Sequence, residues 1–183
     1  MHASVGAEAK RVGLLADAVD AVKRVHALAM EPRVETLTDD HHPAYLHPGR
    51  SALILLQDVG RLDASVLALA MLHESGDRSL RPADHRIKEE MGEATVALLA
   101  SLPKPGEEDL VERLIGLSQG LALAVLAERL DHLRHLHLRE DLVDTWANTH
   151  AEVSAAWLPF AGRVHKQLTL RYAHWARTFA RRI

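Results

Sequence analysis

The stretch ASVLALAMLHE, residues 64–74, constrains the fold of this chain more than any other. It is apolar nearly all round and long enough for about three helical turns. A helix with no polar face cannot lie at a surface, so other elements must wrap it. The rest of the chain supplies them. Ala and Leu dominate the 183 residues, and both lose little freedom in a helix. No run shows the two-residue alternation of a strand. The expected class is all-α, one compact bundle of about seven or eight helices spanning 1–183.

Residues 8–30 read as a helix with Val12, Leu15, Val19, Val22 and His26 on one face. EPRVETLTDDHHPAYLHPGR, 31–50, has three prolines and no periodicity. It reads as a loop, and loops of that length are usually functional or disordered. A short helix over 51–60 ends at Gly60, and Asp63 or its neighbour caps the central helix. Residues 79–102 read as a turn and an amphipathic helix, with Pro82 near its first turn. PKPGEED, 103–109, is a breaker. Residues 107–138 give one or two helices jointed at Gly116 or Gly120, and 141–183 give two helices interrupted near Pro159 and Gly162. Trp146, Trp157 and Trp175 are expected as core anchors. His150, His165, His174 and the basic tail of Arg177, Arg181 and Arg182 are expected as solvated helix surface.

The net charge of −3, with acids and bases interspersed, argues against a nucleic-acid groove or an acidic-lipid surface. The absence of Cys excludes disulfides, thiolate ligands and Cys nucleophiles. With no membrane-length apolar run and no signal-like N-terminus, the expectation is a cytoplasmic protein. Histidine is the anomaly, at 13 residues. His47 before Pro48, His73-Glu74 at the end of the apolar helix and Glu128 among apolar neighbours form a set. Two imidazoles and two carboxylates suit a divalent ion, with Mn²⁺ favoured and Zn²⁺ or Fe²⁺ as further fits. Position alone weighs towards the plainer reading, since a His at a helix end is more often capping or solvated. His41 and His42 read as a solvated polar loop.

The order of these pieces resembles a known family. HPAYLHPGRSALIL, LDASVLALAMLHES and VLAERLDHLRHL, with IKEEMGEATVALLASL between, are similar to the HD-domain phosphohydrolases of the RelA/SpoT hydrolase type. The likeness is greatest to the small single-domain metazoan SpoT homologs and clearest over 8–136. It implies a helical HD domain and a (p)ppGpp-type pyrophosphohydrolase activity on a nucleotide. It assigns His47, His73, Glu74 and Glu128 to the four metal positions, where the family has Asp at the last two. Asp77 and Arg78 fall where the family places two acids that position water, so Asp77, with Glu74, is the implied catalytic pair and Arg78 a phosphate contact. His132 and His135 replace the family's nucleotide-contacting residues, and Arg134 between them is kept. Arg33 is the nearest counterpart of a base-gripping cation, beside an acidic insert holding Asp39 and Asp40. Arg50 or Arg134 would neutralise phosphate charge.

Three functions follow from these residues. The first is a metal-dependent phosphohydrolase of a small nucleotide, acting alone or as a homodimer. The second is a degenerate HD fold that binds a nucleotide or protein without hydrolysis, which the Glu74, Glu128 and Arg78 departures motivate. The third is a plain helical interaction domain.

Overall fold

The computed structural model describes residues 1–39, 41–60 and 62–183, with His2 and Ala3 described by backbone alone. Asp40 of the acidic insert therefore lies outside the described residues. Among the described residues the chain is all-helical, without strands. Its helices are α1 (His2–Arg11), α2 (Ala16–Thr36), α3 (His47–Asp58), α4 (Ala64–Leu72), α5 (Asp84–Met91) and α6 (Glu93–Ser101). Then come α7 (Leu110–Ile115), α8 (Gln119–His135), α9 (Trp146–Glu152), α10 (Leu158–Val164) and α11 (Lys166–Phe179). A π turn over Val153–Trp157 joins α9 to α10 in one rod. None of these helices is long and apolar enough to cross a membrane.

The apolar stretch is central, as its composition demands. Every residue of α4 from Leu67 to Leu72 is buried, and α2, α3 and α8 pack around it. α8 is the second inner helix, buried almost continuously from Ala122 to Leu133. α11 closes over it, with the Tyr172 hydroxyl donating to the Leu126 carbonyl at 2.8 Å and the Trp175 indole to that of Leu133 at 2.7 Å. Trp157 and Trp175 are core residues, while Trp146 is half-buried against Phe179.

Several boundaries differ from the sequence reading. The helix expected over 8–30 is two, because Gly13 adopts φ 86 and turns the chain. Leu15 then precedes the first turn of α2 and is exposed rather than on the packed face. The loop expected over 31–50 shrinks to 37–46, since α2 runs through Pro32 to Thr36. An interior proline costs about 3 kcal/mol, but Arg33, one residue on, is buried and bonded on every side, which anchors the last turn. Gly92, at φ 86, divides the amphipathic segment into α5 and α6. In the C-terminal part the break falls at His165, not at Pro159, which lies within the rod directly after the π turn that joins α9 to α10. Asp63 stands at the N-terminus of α4 without a side-chain capping bond.

Candidate metal centre

α4 stops at Leu72, and His73, with ψ 108, turns the backbone out of the helix. That turn swings His73 and Glu74 towards α8 at the inner end of the bundle. Pro48 fits the first turn of α3, which places His47 at its N-terminus facing the same point. Glu128 and His132, four residues apart on α8, share a helix face. One ligand atom from each of His47, Glu74, Glu128 and His132 lies within 4.8 Å of all the others.

The distances suit a shared cation. His47 Nε2 lies 3.7 Å from Glu128 Oε1 and 4.0 Å from Glu74 Oε2. His73 Nε2 lies 3.9 Å from Glu128 Oε2, at the edge of the group. His132 Nε2 sits 3.0 Å from both carboxylates, an ionic contact without hydrogen-bond alignment. Ligands about 2.0–2.2 Å from one ion stand roughly 3 Å apart at right angles. The buried Nε2 atoms of His47, His73 and His132 all lack a hydrogen-bond partner. A buried imidazole nitrogen without a partner is costly, and those of His47 and His73, aimed with His132 at two carboxylates, fit a divalent ion.

The surroundings fix each ligand. The Asp131 carboxylate, fully buried, lies 2.8 Å from His47 Nδ1 and accepts from Arg50 Nε at 2.8 Å. A proton held on Nδ1 leaves the Nε2 lone pair facing the cluster. His47 also stacks on His132 with ring centroids 4.0 Å apart. Glu74 takes Arg33 on Oε2, and the Gly76 and Asp77 amides on Oε1 at 3.1 and 3.2 Å. Its extra methylene lets the carboxylate curl back onto its own turn. Gly76 permits this closure, because a Cβ there would stand 3.1 Å from the His132 ring and 3.2 Å from Glu74 Oε1. The Ser75 amide and hydroxyl both donate to Glu128, at 2.9 and 2.8 Å.

Charge follows this geometry. Burial pushes the Glu74 carboxyl up, but His132, His47 and Arg33 outweigh it and hold it well below the usual range. Burial likewise raises Glu128, while His73, His132 and His47 bring it down to about 2. Burial lowers the His132 imidazolium, yet the two carboxylates outweigh it and raise it to about 10. Burial lowers His73, which favours its neutral, ligating form.

Above the cluster opens a cleft of about 230 Å³, bordered by His47, Glu74 and His132 and by Arg50, Arg129 and Arg139. Arg129 pairs with Glu152 at 3.2 Å through a terminal nitrogen, while its buried Nε makes no hydrogen bond among the described residues. Of the residues singled out in sequence, the structure brings His47, Glu74, Glu128 and His132 together, with His73 beside them. Asp77, Arg50 and His135 line the cleft. Asp77 Oδ1 is tied to the Ser79 amide and hydroxyl at 2.9 and 2.7 Å, and His135 Nδ1 to the Asp131 carbonyl at 2.8 Å. Arg33 is not in the cleft but beneath it, donating to Glu74 and to the carbonyls of Ala44, Ala29 and Leu80. Arg78 is exposed and away from the cleft walls, and Arg134 faces a different cavity.

His132 was expected at the substrate and stands among the ligands. Asp131, Ser75, Arg129 and Arg139 were not anticipated. The signal for Asp131 was present, an acid three residues after Glu128 on the same helix face. No family model, curated relative or solved structure matches the chain.

Proposed function

We propose that this protein is a metal-dependent phosphohydrolase acting on a phosphorylated nucleotide. The observation that carries the reading is the convergence of the unpartnered His47 and His73 imidazole nitrogens, together with His132, on two buried carboxylates at the floor of an arginine-bordered cleft. His47, His73, Glu74, Glu128 and His132 would hold one ion, and a mixed nitrogen and oxygen set favours Mn²⁺, with Zn²⁺ and Fe²⁺ as further fits. When bound, the ion polarises a phosphate oxygen and acidifies a bound water. Arg50, Arg129 and Arg139 are paired with Asp131, Glu152 and Asp141, and the remaining N–H groups of these guanidinia, at the cleft border, would meet the phosphate oxygens as they enter. Asp77, at the cleft wall, would orient the water and accept its proton. A ribose bearing a pyrophosphate is the substrate that the resemblance implies. Arg33 cannot grip its base, since its guanidinium is bound to Glu74. The lack of Cys is in keeping with a cytoplasmic setting.

A second reading, a site that binds without hydrolysis, is favoured by His132. Its imidazolium already sits as a cation between Glu74 and Glu128.

The test is metal content by ICP-MS on protein purified without a His tag, before and after Mn²⁺ supplementation, followed by a phosphate-release screen of nucleotides. The expected result is about one ion per chain, lost together with turnover in His47→Ala. Absence of metal under both conditions would transfer the weight to the non-hydrolytic reading. Bound metal with no turnover of any phosphate ester would remove the hydrolase assignment.

A further inference from the structure

A second cavity, about 360 Å³, lies behind α8. Leu130 and Arg134 follow Glu128 and His132 by two residues, roughly 200° round the helix, so the two cavities share α8 but no residue. Arg134, His137, Arg171, His174 and Arg182 border the second one, and among the described residues no Asp or Glu does. Its floor is apolar, with Trp175 and Phe179 stacked at 4.7 Å between ring centroids.

Five cationic or imidazole side chains around one cavity are not what this chain's composition predicts, since its net charge is −3. Arg171 has an acid partner, Asp58, at 2.8 Å. The side chains of Arg134, Arg182 and His137 make no hydrogen bond or ion pair among the described residues. The basic tail therefore divides. Arg177 and Arg181 lie outside the cavity and are exposed, while Arg182 borders it, as Arg134 does. Arg134, expected to meet a substrate phosphate beside His132, is turned to this side instead.

We propose that this groove is a second anion site, binding a small molecule that carries a chain of two or three phosphates. Guanidinium forks match phosphate oxygens two at a time. With Arg171 held by Asp58, Arg134 and Arg182 remain as two unmatched guanidinia on one cavity; a single carboxylate matches one fork, whereas linked phosphates reach both. The shared chemistry is the phosphate chain, whether it is free or attached to a nucleoside. The site is independent of the metal cluster.

Isothermal titration of the full chain, stripped of metal with EDTA, separates the outcomes. The probes are inorganic tripolyphosphate and a nucleoside triphosphate. Wild-type protein and a His132→Ala variant should each show one saturable tripolyphosphate site, weakening as salt is raised. Arg134→Ala/Arg182→Ala, which alters exposed side chains only, should weaken it at least about tenfold, the loss expected for charge-assisted hydrogen bonds. Equal affinity for both probes would place recognition in the phosphates, as proposed. Failure of tripolyphosphate to saturate, binding of the nucleotide alone, an unaffected double variant, or loss in His132→Ala would each overturn the proposal.

Discussion

Two buried carboxylates need positive charge beside them, and His132 supplies it. It stands 3.0 Å from both Glu74 and Glu128 and holds its proton to about pH 10. A ligating imidazole must be neutral, so an ion entering the cluster has to displace that proton. Near neutral pH, binding should therefore release about one proton, and affinity should rise with pH up to about 10. Titrating Mn²⁺ in buffers of different ionisation enthalpy counts the proton, and His132→Ala should remove it. Proton release identical in the variant would mean His132 is not displaced. The same shift sets metal-free stability. With a folded pKa raised above its ordinary value, His132 stabilises fully below about 6.5, and that stability is lost as pH rises through about 10. Glu128, depressed to about 2, contributes above about 4.5 and loses its contribution as pH falls through 2. The set of His47, His73, Glu74 and Glu128 was visible in sequence because each stands at a helix end or among apolar neighbours. What Asp131 and Ser75 do was not, because their partners lie 84 and 53 residues away.

Helix boundaries depend on single backbone positions, and here glycine and proline speak with different force. Gly92 ends α5 and begins α6 at φ 86 and ψ 162, a conformation that side chains resist even though no atom stands within 4 Å of its Cβ position. Gly92→Ala should cost about 1–3 kcal/mol in urea denaturation. Gly116→Ala is the control. Its φ of −74 is ordinary, and its Cβ would meet carbonyls no closer than 3.6 Å. It should be neutral or stabilise by about 0.4–1 kcal/mol. Equal effects at the two positions would mean that backbone conformation does not set the α5–α6 break. The all-α class and the inner position of α4 were legible because composition and an unbroken apolar surface admit few alternatives. The break at Gly13 and the helix through Pro32 were not. The first needs a backbone angle that periodicity does not encode. The second rests on long-range bonds of Arg33, such as that to Leu80, 47 residues on.

Across the whole molecule, the cluster is where separate parts of the chain are tied together. α3 brings His47, the end of α4 brings His73 and Glu74, α8 brings Glu128 and His132, and α2 holds Glu74 through Arg33. α11 is fastened to α8 from the other side by Tyr172 and Trp175. An ion bound to the native arrangement stabilises every one of these contacts by mass action. Free metal at one hundred times its dissociation constant adds about 2.7 kcal/mol. For a chain of this length that corresponds to roughly 5–10 °C in Tm. Differential scanning calorimetry with increasing Mn²⁺ should show that rise in wild-type protein and none in Glu128→Gln, which keeps the side-chain shape but removes a ligand charge. A scan of the Arg134→Ala/Arg182→Ala variant should keep the full rise, since its groove lies on the far side of α8. A Tm that ignores Mn²⁺, or that climbs equally in Glu128→Gln, would mean that the ion does not join these helices. The convergence of His47, Glu74, Glu128 and His132 would then be an internal ion-pair network, with His132 and Arg33 as cations against its carboxylates.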